Sequence, residues 1–252
     1  LAILLLTPAV LPAGEPRKGA SGPPEVVDLF PAMDQGQIAV RLIAQDDKLC
    51  MLMVLNRTRQ PLSVRLPTAF GGVPVLAQVA QQMAQGLVGS SSISISSAPL
   101  PPGPPVQPLG IAPPGGLFPA GATQALLNVA PEAINRFAAR AVCLDRAKGG
   151  PSPHIPYLVR PLAQISDRPE LVEICRMLST DVNRRVIQAA AWHVANNIDW
   201  RQLLHPGAMG ALPDPLRFTP MELYGAQQLV AMAQKTVQER AQKANGAAGA
   251  KK

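Results

Sequence analysis

Little in this chain is aromatic, acidic or sulfur-bearing, and each shortage removes a class of function. Phe, Tyr and Trp make up 4% of the 252 residues, against 28 Pro and 20 Gly. The apolar share of 47% would ordinarily supply a large core, but much of it is Ala, Leu and Val in Pro- and Gly-rich surroundings. The compact fraction is therefore smaller than the length implies, with two modest domains and roughly sixty to seventy loose residues expected.

Sixteen acidic side chains, several of them placed as helix caps, leave few for paired-carboxylate hydrolysis. The three histidines, His154, His193 and His205, lie in no H-E-x-x-H pattern and have no second His at i+4, so a hydrolytic zinc lacks its ligands. There is no G-x-S-x-G elbow, and the glycine pairs Gly115-Gly116 and Gly149-Gly150 lack the strand-to-helix setting of a phosphate loop. No metal and no cofactor is expected. Cys50, Cys143 and Cys175 fit no metal-ligand spacing and allow at most one bridge. They read either as three small buried hydrophobes or as a Cys50–Cys143 disulfide between facing strand-like segments.

What is present begins with charge. The formal net charge is +7, but it is dispersed, and the longest basic runs are the pairs Arg184-Arg185 and Lys251-Lys252. That distribution reads as a solubility feature rather than a nucleic-acid stripe, and no specific nucleic-acid binding is expected. Residues 1–13, ending in small residues, read as the back half of a secretory signal peptide, because an apolar run of about eleven residues is too short to span a bilayer. No other stretch is long and apolar enough to cross one. A secreted or periplasmic protein is expected.

Strand-like patterns follow over residues 25–148. Gln37 to Gln45 and Lys48 to Asn56 form a hairpin across Asp46-Asp47. Residues 61–67 alternate as a half-buried strand, Gly71 to Gln78 adds a short edge strand, and two more strands lie at Gln124 to Val129 and Asn135 to Leu144. Residues 84–122, rich in Ser, Pro and Gly with almost no charge, read as a disordered insertion. The expected fold class is α+β in two domains: an immunoglobulin-like antiparallel β-sandwich over 25–148, then a small all-α domain over 155–244, with a disordered tail at 245–252. Ala147 to Pro153 is the linker.

In the second domain Ile155 to Pro161 reads as an edge strand or strap. Asp167 to Glu170 reads as the N-terminal signature of a first helix reaching about Leu178. Thr180 or Asp181 caps a second helix with Val182, Val186, Ala189, Ala190, His193 and Val194 on one side. Asn196-Asn197 ends it and caps a short helix to Leu204. Thr219 to Glu222 is a capping box for a fourth helix. Trp192, His193, Asn196 and Asn197 exceed what folding alone requires, and they are the candidate binding residues.

The stretches NRTRQPLSVRLPTAFGGVPVLAQ and VCLDRAKGGPSPHIPYLVRPL, with AAAWHVANNIDW after them, resemble a group of uncharacterised secreted bacterial proteins. In that group a sandwich with a Val-Cys-Leu final strand precedes a helical domain carrying an Ala-Ala-Ala-Trp-His helix. The resemblance implies a fold and no activity. The first function expected is an exported, non-enzymatic interaction or structural module of the cell envelope, binding a protein partner or an anionic surface polymer. A small extracytoplasmic hydrolase using His193 is the alternative, and weak electrostatic binding of nucleic acid or a membrane surface is the third.

Overall fold

The computed structural model describes residues 24–75, 106–118, 124–204 and 217–249. The expected signal segment 1–13, the leader after it, most of the Pro/Gly/Ser insertion and His205 lie outside them.

The hairpin forms as its pattern predicts. Strands β2 (Ile38–Ala44) and β3 (Leu49–Asn56) pair antiparallel with Ala44 opposite Cys50. The Asp46 carboxylate accepts the backbone N–H groups of Lys48 and Leu49, closing the turn. On its other side β3 pairs with the ten-residue strand β8 (Ile134–Cys143).

From here the structure departs from the sandwich. Strand β6 (Leu109–Ala112) pairs with β8 and with β5 (Phe70–Pro74), and β9 (Pro156–Arg160) joins β5 to β2. The six strands close into an antiparallel barrel in the order β2-β3-β8-β6-β5-β9. The immunoglobulin-like sandwich is therefore incorrect. The reason is that two staves lie where no sandwich strand was expected, β6 inside the supposed disordered insertion and β9 inside the supposed helical domain. Those two strands turn β5, expected at an edge, into an interior stave, and closure removes every edge of this sheet. Leu42, Leu52, Val54, Phe70, Leu109, Ile111, Tyr157 and Val159, all buried, fill the barrel.

A separate three-stranded sheet, β1 (Glu25–Asp28), β4 (Leu62–Leu66) and β7 (Ala125–Val129), has β1 parallel and β7 antiparallel to β4. The short helix α1 (Leu29–Asp34) follows β1.

Four helices share the apolar core; the first two pack on the outside of the barrel, and the last packs on the other three. They are α2 (Glu170–Arg176), α3 (Arg184–Asn196), α4 (Trp200–Leu204) and α5 (Pro220–Gly249). Gly110 of β6 marks where α2 meets the wall, since a Cβ there would lie 2.4 Å from the Cys175 sulfur. The boundaries differ from expectation in three ways. Neither Asp167 nor Glu170 caps α2, whose start has no side-chain cap bond. Asn183, not Thr180 or Asp181, caps α3 by accepting the Arg185 N–H. Helix α5 continues to Gly249, into the region read as a disordered tail; Asn245 to Gly249 has weak helix propensity of its own and extends a long helix that is already nucleated. Its capping box is formed as expected: Thr219 accepts the Glu222 N–H, and Glu222 accepts the Thr219 N–H.

Candidate functional site

Strand β8 outlasts its neighbour. Past Lys48, whose carbonyl accepts the Ala141 N–H, β3 no longer borders it, and the carbonyl of Ala141 and both backbone groups of Cys143 on that side lack a strand partner. Helix α3 supplies one from its side chains. Arg184 donates from Nε to the Ala141 carbonyl at 2.9 Å. Gln188, buried, accepts the Cys143 N–H at 2.9 Å and donates to the Cys143 carbonyl at 2.8 Å. One turn past Trp192, Asn196 donates to the Leu144 carbonyl and accepts the Arg146 N–H. Residues 184, 188, 192 and 196 are thus a stripe at four-residue spacing, laid along the free side of β8 and the segment after it.

Trp192 is the member of that stripe without a backbone partner. Between it and the barrel end lies a cavity of about 680 Å³. The β2–β3 turn contributes Asp47 and Lys48 to its wall, the segment before β6 contributes Gln107, and the segment after β8 contributes Arg146 and Lys148 to Gly150. Cys143, Arg184, Arg185, Gln188 and Phe218 complete it.

Charge in the wall is unevenly paired. Arg184 meets the Asp47 carboxylate at 3.1 Å and also donates to its carbonyl. Arg185 forms a two-pronged pair with Glu222, at 2.5 and 3.2 Å, and lies over the Phe218 ring. Lys148 pairs with Asp145 at 2.8 Å. Arg146 has no carboxylate partner among the described residues; its guanidinium carbon sits 5.3 Å from the Trp192 ring centre. Burial holds that guanidinium below the usual arginine range. The Arg146 Nη1, Trp192 Nε1 and Gln107 Oε1 atoms are buried without a hydrogen-bond partner among the described residues. Such atoms are uncommon and costly in native proteins.

No family model, no curated protein and no solved structure matches the chain. The site therefore stands on its geometry.

Of the four residues singled out from sequence, the structure places one in the cavity wall and a second behind it. Trp192 lines the cavity, and Asn196 holds the backbone of Arg146. His193 and Asn197 finish the helix instead. His193 stacks on Trp200 with ring centres 3.9 Å apart, and its Nδ1 lies 2.8 Å from the Ile198 carbonyl oxygen. Asn197 takes the left-handed conformation, φ 54°, of a helix C-cap. His193 has no hydrogen-bonded nucleophile or carboxylate among the described residues. Arg146 and Gln107 were missed because both fall in segments read as connections. Gln188 was missed because the apolar stripe drew attention to the other side of α3; the four-residue spacing of Arg184, Gln188 and Asn196 was the available signal.

The cysteine bridge is a further correction. Cys50 stands opposite Ala139 of β8, and Cys143 lies four residues further along that strand. At a strand's rise this is about 13 Å, beyond the span of a disulfide. All three cysteines are free and buried, and burial pushes each thiol up to about 12. Among the described residues no His, Cys, Asp and Glu side chains group as a metal site, and no helix is long and apolar enough to cross a membrane.

Proposed function

We propose that the protein is a non-enzymatic binding module that holds an anionic group in the cavity between the barrel end and α3. The observation carrying this reading is Arg146: a partly buried guanidinium in a cavity wall where Asp47, Asp145 and Glu222 each pair another cation. A buried charge without a partner is costly, and an anionic ligand removes that cost. The apolar run at residues 1–13 supports reading the module as exported, with an anionic polymer of the cell envelope as the source of the group. A polymer unit suits the site better than a flat protein surface, because the unpaired charge lies in a cavity rather than on an open face.

The test is retention of the 252-residue chain on an immobilised anionic polysaccharide and on neutral dextran, for the native protein and for Arg146→Gln. The native chain is expected to be retained on the anionic matrix only, and Arg146→Gln to elute with little delay. Equal retention of both proteins would assign binding to dispersed surface charge and defeat the proposal. Unchanged circular dichroism of the variant ensures that loss of retention reports the site.

A further inference from the structure

Resting on that reading, we infer that the cavity holds two anionic groups of one extended ligand, an inner one at Arg146 and an outer one at Lys48. It reads a stretch of polyanion rather than a single charged unit. The wall carries five cations, and three of them are answered: Arg184 by Asp47, Arg185 by Glu222 and Lys148 by Asp145. Arg146 and Lys48 have no carboxylate partner among the described residues.

Those two cations are anchored at different places along α3. Lys48 follows Asp47, whose carboxylate and carbonyl are held by Arg184. Its own carbonyl accepts the N–H of Ala141, the residue whose carbonyl Arg184 also holds. The outer cation therefore starts from the level of Arg184. Arg146 is fixed toward the other end of the helix, with its N–H on Asn196 and its guanidinium against Trp192. From Arg184 to Trp192 the helix advances on the order of 12 Å.

Their settings differ as well. Lys48 is exposed, whereas the Arg146 Nη1 and the Trp192 Nε1 are buried without a hydrogen-bond partner among the described residues. The inner end thus offers two dry donors to one acceptor group, and the outer end offers a solvated point charge to a second. A compact anion seated at Arg146 leaves Lys48 to water, whatever charge that anion carries. A ligand that repeats its charge along its length meets both cations. The other three wall cations are neutralised in pairs, so no third anionic group is called for. The volume, about 680 Å³, exceeds what one ionic group fills. The shared chemistry is repeated charge, on carboxylate or on phosphate groups.

Calorimetric titration of the full chain at constant ionic strength tests the inference with two pairs of probes: D-glucuronate and its 1,4-linked trimer, and glycerol 3-phosphate and a three-unit poly(glycerol phosphate). In at least one pair the trimer is expected to bind at least about tenfold more tightly than the monomer, beyond the roughly threefold gain that three equivalent units give by number alone. Either pair showing this supports the inference, and the pair with the larger gain names the charged group of the polymer. Lys48→Gln is expected to remove the gain while leaving the monomer within about twofold, and Arg146→Gln to weaken monomer and trimer alike by about tenfold. Lys235→Gln, on the exposed side of α5, should change neither. Trimers that gain nothing over monomers would overturn the two-point grip and leave the anion site at Arg146 standing. The same follows if Lys48→Gln leaves the gain intact or weakens the monomer as much as the trimer, or if Lys235→Gln removes the gain equally. No Arg146-dependent binding of any probe would overturn both the inference and the function beneath it.

Discussion

Glu222 does two jobs with one carboxylate, and its protonation should be visible in stability. It caps α5 through the Thr219 N–H and holds Arg185 at the cavity wall. Burial acts to raise its pKa, but the hydrogen bonds from Arg185 and Thr219 and the Arg185 charge outweigh it, so the net shift is downward from 4.5. A carboxylate with a lowered folded pKa contributes stability above its unfolded value and loses it as pH falls through the folded one. The three buried thiols work in the other direction. Their folded values, raised from 9.0 to about 12, keep stability intact below 9.0 and erode it above. Denaturation midpoints measured against pH should therefore show a plateau between these limits, and Glu222→Gln should flatten part of the acid limb. Iodoacetamide at pH 8 should label none of the cysteines in the native protein and all three after unfolding. Rapid native labelling of Cys50 would show that the barrel interior is open.

At the level of elements, the pairing of α3 with β8 holds the helical layer to the barrel. Gln188 stands in for a missing strand by bonding both the N–H and the C=O of Cys143. Gln188→Leu keeps a similar volume but orphans both backbone groups, and should cost about 1–3 kcal/mol in chemical denaturation. A loss below a few tenths of that would mean the strand end finds another partner. The same element shows what was readable from sequence. The C-terminal end of α3, the start of α5, the Thr219–Glu222 cap and the left-handed Asn197 follow from local rules, and the sequence pattern indicates them. The roles of Arg184, Gln188 and Asn196 do not, because their partners on Ala141, Cys143, Leu144 and Arg146 lie roughly forty to fifty residues away in the chain. A polar side chain on a helix shows its spacing in the sequence, not the strand end it will meet.

For the whole molecule, the alternation patterns located most strands but not the closure. β6 has four residues, Leu-Gly-Ile-Ala, set in a Pro- and Gly-rich tract, too short to display a period. β9 is bounded by prolines and reads as a strap, yet it is the stave that joins β5 to β2. With those two strands misassigned, four barrel strands were left to suggest a sandwich, and the boundary between the two expected domains fell across the barrel itself. The apolar core runs continuously from barrel to helices, so unfolding followed by the two tryptophans, both in helices, should coincide with loss of the barrel signal in circular dichroism. Separate transitions would restore two independent domains. The cavity at the junction is the centre of the account, and the chain carries its own control for testing it. Trp192 lines the cavity, whereas Trp200 stacks on His193 and is not part of the cavity wall. Titrating the 15N-labelled protein with D-glucuronate should shift the indole N–H resonance of Trp192 while that of Trp200 stays in place, with the shift lost in Arg146→Gln. Equal movement of both resonances, movement of neither, or a Trp192 shift that survives Arg146→Gln would contradict an anion site at Arg146.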